Sequence, residues 1–271
     1  MRGVVLAGGL GKRLGPLTRI TNKHLLPVYD RPMIFYPIQT LIEAGITDIL
    51  IVTGGNHAGE FLRLLRNGEE FGLGHVNFQY TYQMGEAGIA AALSLAERFA
   101  QGEPLVVILG DNVLQDRIGP SVARFASQGA GAKILLKEVD EPQRFGVAQL
   151  QGKRLVRILE KPAKPPSRLA VTGVYMYDAQ LFDIIKTLKP SARGELEITD
   201  VNNAYIQRSQ MTYEVLTGWW TDCGLPETLY RAATLVRQQA MREERRGAAV
   251  SSSRKTAAPR SRSSSRASKV S

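Results

Sequence analysis

One cysteine, Cys223, three histidines and two tryptophans are all that the 271 residues hold of these types. A lone cysteine cannot close an internal disulfide, which excludes a small stapled scaffold. None of the histidines has a metal partner at helical spacing, and no Ser/His/Asp arrangement for nucleophilic catalysis stands out. No apolar run approaches the roughly 20 residues of a membrane span, and no charged-then-apolar leader opens the chain. The expectation is a soluble cytoplasmic protein without a membrane partner.

Hydrophobic residues make up 44% of the sequence, enough for a large core. The formal charge of +10 invites a nucleic-acid reading. Yet Ser251–Ser271 carries Arg254, Lys255, Arg260, Arg262, Arg266 and Lys269 and no acid, and without those six the charge falls to +4. A body of that charge does not call for nucleic acid. The composition divides the chain at about residue 245, with 246–271 a basic Ser/Arg/Ala-rich tail too poor in apolar residues to pack a core. The tail is expected to be a disordered, dispensable end, with a tether to RNA, a membrane or a partner as the alternative.

Apolar runs bounded by turn residues at Gly3–Leu6, Ile49–Thr53, Val76–Tyr80, Leu105–Leu109 and Lys133–Leu136 read as strands. Helices are expected around Met33–Ala44, His57–Arg66, Ile89–Phe99 and Ile118–Ser127, the first two stopped by Gly45 and Gly68. This alternation predicts a Rossmann-like α/β fold with a mostly parallel, mixed sheet flanked by helices. After Arg144 the texture turns to shorter β-prone pieces, Gly146–Leu150, Arg154–Leu159 and Val171–Tyr177, which would add a second wall to a cleft. A helix around Pro226–Glu244 follows.

The strand Val4–Ala7 runs directly into Gly8-Gly9-Leu10-Gly11-Lys12-Arg13. Glycines let backbone N–H groups approach phosphate oxygens, and Arg13 adds a planar donor fork. Alone the loop also reads as a tight connection. It matches neither the Walker ending nor the third glycine of the dinucleotide fingerprint, since Leu14 stands at that place. Gly110-Asp111-Asn112 follows a second apolar run, where ligands collect in parallel sheets. Asp111 there reads either as a cation or hydroxyl ligand or as an Asx turn.

Seven segments in order narrow the choice: the glycine loop, Asn22-Lys23-His24-Leu25-Leu26-Pro27-Val28, Gly110-Asp111-Asn112, Arg144-Phe145-Gly146-Val147, Glu160-Lys161-Pro162, Gly194–Asp200 and Trp220-Thr221-Asp222. Together they resemble the sugar-1-phosphate nucleotidylyltransferases, nearest the branch that transfers thymidylyl groups to glucose 1-phosphate. The resemblance spans about residues 1–240 and implies a nucleotidylyltransferase domain over 1–245. It implies attack by the phosphate of glucose 1-phosphate on the α-phosphorus of dTTP, giving dTDP-glucose and pyrophosphate for rhamnose or polysaccharide synthesis. It also implies Mg²⁺ as cofactor and a homo-oligomer.

By position, the family's roles fall on Gly8, Gly9, Gly11 and Lys12 at the triphosphate, and on Arg13, Lys23 and Lys161 as catalytic cations. Gln83 and Gly88 would take the base. Asn112, Gly146, Glu160, Lys161 and Val171 would bind the sugar phosphate, with Lys161 also pairing with the attacking phosphate. Asp111 and Asp222 would hold the metal, while Trp219, Trp220 and Cys223 read as packing residues.

Two departures concern nucleotide choice. His24 stands where a Gln commonly follows the lysine, and Ala91 replaces a Gln after the base loop. A methyl separates thymine from uracil and is worth only about 1–3 kcal/mol, so the same reaction with UTP or another sugar 1-phosphate is the near alternative. The longer members' regulatory helices are not expected here. A non-catalytic sugar-nucleotide sensor or scaffold is the alternative from another class, against which the complete set Arg13, Lys23, Asp111, Lys161 and Asp222 counts.

Overall fold

The computed structural model describes residues 1–71 and 76–256. The chain opens with β1 (Arg2–Ala7), then a run of short 3-10 turns, the hairpin of β2 (Pro27–Val28) and β3 (Arg31–Pro32), and α1 (Phe35–Glu43). It continues through β4 (Asp48–Gly54), α2 (Ala58–Leu65), β5 (Asn77–Gln83), α3 (Ile89–Ser94) and α4 (Glu97–Ala100). Next come β6 (Leu105–Leu109), β7 (Asn112–Leu114), α5 (Gly119–Gln128), β8 (Ala132–Glu138), β9 (Gly146–Gln151), β10 (Arg154–Glu160) and β11 (Leu169–Tyr177). The last elements are α6 (Leu181–Thr187), α7 (Ile198–Gln207), β12 (Met211–Val215), β13 (Trp220–Asp222) and α8 (Pro226–Thr256).

The main sheet runs β10-β9-β11-β6-β1-β4-β5, with β8 and β12 branching from β11. β1 lies parallel to both β4 and β6, and β4 to β5. β11 enters antiparallel to β6 and to β8, which makes the sheet mixed. Side chains alternate across the pleat: Val4 and Leu6 pack into one core with α3, α6 and α7, while Val5 and Ala7 pack into the other with α1, α2 and α5. Both faces are covered, which is why these strands read as continuous apolar runs.

Gly45 stops α1 as expected, taking φ +83° with its N–H on Ile42 O. The expected helix over Ile89–Phe99 is instead two pieces. The Ser94 hydroxyl donates to Ala91 O at 2.7 Å, and Ala96 N–H bonds Leu93 O, tightening the ladder to i→i+3 at the break. α8 packs Leu229, Ala232, Ala233 and Val236 against the core near its start and runs on past Glu244 to Thr256, so residues 246–256 of the tail expected to be disordered are helical. Of the tail expected over 246–271, residues 257–271 lie outside the described residues. No helix among the described residues is long and apolar enough to cross a membrane.

Candidate active site

Because β1 and β6 are parallel and in register, Ala7 and Leu109 end at the same edge and deliver Gly8 and Asp111 side by side. A cavity of about 400 Å³ opens there. Its walls include Gly8, Gly9, Arg13 and Lys23 on one side, and Gln83 and Gly88 beyond them. Asp111, Asn112 and Asp222 lie at the centre, with Gly146, Glu160, Lys161 and Val171 opposite. Thirteen positions read from the sequence thus face one space. Gly11 and Lys12 do not line it: Gly11, at φ +67°, packs where a Cβ would lie 2.8 Å from Lys23 Cβ, and the Lys12 ammonium pairs with exposed Glu86.

The two aspartates meet through the small sheet of β7 and β13, which sets Asp222 opposite Asn112, while Cys223 N–H donates to Asp111 O at 2.8 Å. Burial opposes ionisation of Asp111, but the Lys23 ammonium, 2.5 Å from Oδ2, outweighs it and holds the carboxyl well below the usual range. Asp222 moves the other way: burial and the charge of Asp111 raise it, against the pull of Arg144 and Arg13. Arg144 Nη2 donates to both Asp222 oxygens at 3.3 and 3.4 Å. Two mutually repelling hard carboxylates are suited to a divalent cation whose other ligands come from water and phosphate. No group of three or more His, Cys, Asp or Glu suited to a metal occurs among the described residues.

His24 lies inside the wall. Its Nδ1 donates to Asn22 Oδ1 at 2.7 Å, its ring packs on Gly110, and burial with the Lys23 charge drives its pKa down to about 3. It is a neutral spacer between β1 and the Asp111 turn.

On the opposite wall, Thr199 donates to Glu160 Oε2 at 2.6 Å. Arg193 reaches Glu160 at 3.3 Å and both oxygens of Glu197 at 2.8 Å. The segment carrying Arg193 is stitched to the loop that carries Gly88, since Leu196 N–H donates to Ala87 O and Ala90 N–H to Leu196 O. Trp220 packs against Phe145 and donates from Nε1 to Asn112 Oδ1 at 2.7 Å, so it both packs and orients a lining residue. Cys223 is a fully buried thiol, raised by burial.

Sequence reasoning missed Tyr175, Arg193, Glu197, Thr199 and Asn202 as lining residues. Glu197 and Thr199 lay within a quoted segment. Arg193 stands one residue before it, and nothing in local spacing marks Tyr175 or Asn202.

A family model described as Nucleotidyl transferase matches residues 2–239. A protein of Neisseria meningitidis named glucose-1-phosphate thymidylyltransferase is 42% identical over 240 residues, covering 87% of this chain and 82% of that one. A crystal structure from Bacillus anthracis, of a protein assigned to the glucose-1-phosphate thymidylyltransferases and in complex with a sucrose, superposes with TM-score 0.83 at 52% identity, covering 88% of this chain and 95% of that chain. UDP-glucose pyrophosphorylase with UDP-glucose gives TM-score 0.75 at 25% identity, covering 88% and 98%.

Proposed function

Because the chain belongs to the nucleotidyl transferase family, we propose that it is a glucose-1-phosphate thymidylyltransferase, joining dTTP and glucose 1-phosphate to give dTDP-glucose and pyrophosphate. The observation that carries this reading is the convergence of Arg13, Lys23, Asp111, Lys161 and Asp222 on one cavity. In-line transfer between two polyanions needs positioning and charge neutralisation rather than a protein nucleophile.

Arg13 and Lys23 hold the β- and γ-phosphates and meet the charge that develops on departing pyrophosphate. Lys161, half exposed beside Glu160, draws the attacking phosphate, and Glu160 accepts from sugar hydroxyls. Gly8 has no room for a Cβ beside Gln83 Oε1, so the loop backbone and the base-reading amide share one edge. Asp111 and Asp222 hold the divalent cation, which we take to be Mg²⁺ and which supplies charge neutralisation and orientation of the phosphates when bound. The reaction belongs in the cytoplasm, where nucleoside triphosphates are made, and a homo-oligomer is the assembly that the family resemblance supports.

Uridylyl transfer is the second reading, favoured by Gln83, whose amide meets an edge common to thymine and uracil. The deciding experiment follows pyrophosphate release with Mg²⁺, glucose 1-phosphate and each nucleoside triphosphate in turn. Release strongest with dTTP and abolished by chelator is expected; a higher kcat/KM with UTP moves the specificity, and silence with every pair rejects the reading.

A further inference from the structure

Asn202 sits on α7 one turn after Thr199, on the same helix face, and is fully buried against the cavity. Its amide is held in one orientation. Oδ1 accepts from the Tyr177 hydroxyl at 2.6 Å, and Tyr177 is itself fixed between the rings of Tyr175 and Tyr205, at centroid distances of 6.0 and 5.7 Å. The Tyr205 hydroxyl donates to Asp178, anchoring that end of the stack. Nδ2 has no acceptor among the described residues.

A buried amide left unpaired is costly, and such groups are rarely tolerated without a partner from outside. The neighbouring donor, the Thr199 hydroxyl, is already committed to Glu160. Arg13, Lys23 and Arg144 lie by the two aspartates and, with Lys161, would claim the phosphates, while Arg193 is held by Glu160 and Glu197; what comes to Thr199 and Asn202 is then the uncharged part of the substrate. Its acceptors are hydroxyl oxygens.

We propose that Asn202 Nδ2 donates to one hydroxyl oxygen of the hexose and thereby selects the sugar; this rests on the sugar 1-phosphate reading above. Thr199 and Glu160 then handle one side of the ring, and Asn202 reads a hydroxyl deeper along α7. Asn202 is a substrate-contact residue that stabilises sugar binding. It takes no proton.

The test uses glucose 1-phosphate and its 2-, 3-, 4- and 6-deoxy analogues, with wild type, Asn202→Ala, Asn202→Leu and Tyr177→Phe. Wild type is expected to lose roughly tenfold in kcat/KM on an analogue lacking the hydroxyl read by Nδ2. Asn202→Ala and Asn202→Leu should lose about the same factor on glucose 1-phosphate itself, through the sugar KM and not the nucleotide KM, with no added loss on that analogue. Tyr177→Phe keeps Nδ2 but removes the hydrogen bond that orients it, so it should stay sensitive to the same analogue with a smaller loss than the wild type shows. An active wild type with no selectively sensitive analogue, or Asn202 variants that keep the wild-type discrimination, overturns the proposal while leaving the functional reading intact. A wild type silent with every hexose 1-phosphate removes both.

Discussion

Lys23 Nζ lies 2.5 Å from Asp111 Oδ2, joining segments 88 residues apart, with both side chains largely buried. The pair ties the turn after the glycine loop to the end of β6. It also sets an order of events: the ammonium that neutralises Asp111 in the empty cavity is the one proposed to meet the triphosphate, so substrate binding redistributes Lys23 between the two anions. Asp111→Asn removes the carboxylate at nearly constant shape. Turnover is expected to fall at least 100-fold at saturating substrates and Mg²⁺, with an unchanged circular dichroism spectrum, because electrostatic groups aimed at developing charge are worth about that much. Turnover within threefold of wild type would remove Asp111 from the machinery.

Gly224 bears on the same centre from the other side. A Cβ there would stand 2.9 Å from Asp222 Oδ2 and 3.0 Å from Arg13 Nη2. Both atoms are side-chain ends, so Gly224→Ala should fold normally and displace the two groups by a few tenths of an ångström. Since small misplacements of charge-stabilising groups are expensive, kcat should drop about 10- to 100-fold while the melting temperature stays within a few degrees. A variant with wild-type kcat would show that Arg13 and Asp222 do not act in the position seen here.

The strands and helices around β1, β4 and β6 were legible because residues buried on both faces produce uninterrupted apolar runs, as at Val4–Ala7 and Leu105–Leu109. β7 and β13 were not, since three residues each carry no periodicity, yet their pairing brings Asp222 to Asp111. Arg193 and Asn202 were hidden for a similar reason. Their places on the cavity wall arise from where α7 and its leading loop dock, through the Ala87–Leu196 bonds and the tyrosine stack, and not from neighbours in sequence.

The loop proposed to take the base depends on a backbone only glycine adopts freely. Gly88 sits at φ +97°, and a Cβ would meet Leu196 O at 2.5 Å. Leu196 belongs to the segment that carries Arg193 and Glu197, so the strain of Gly88→Ala would be shared by the nucleotide and sugar sides. Steady-state kinetics should show KM rising for both substrates, with a melting temperature several degrees lower. A rise confined to the nucleotide KM would mean that the two loops move independently.

Glu214, remote from the cavity, fixes β12 to α5 and β8. It accepts from Arg124 at the surface, from Lys133 Nζ at 2.6 Å and from the Ser121 hydroxyl at 2.7 Å. The Arg124 hydrogen bond, with those from Lys133 and Ser121, outweighs partial burial and brings the carboxyl down to about 2. A depressed folded-state value means that the unfolded chain binds the proton more readily. The contribution to stability is therefore complete above the unfolded value near 4.3 and is lost as pH falls from there towards 2. Glu214→Gln is expected to lower the unfolding free energy by about 1–2 kcal/mol at pH 7, leaving Lys133, only 6% exposed, without its carboxylate. By pH 2.5 the wild type has lost most of that advantage, so urea unfolding at the two pH values should show the gap between wild type and variant closing. A gap that stays constant with pH would assign Glu214 a packing role and remove the charge of this cluster as a stabilising factor.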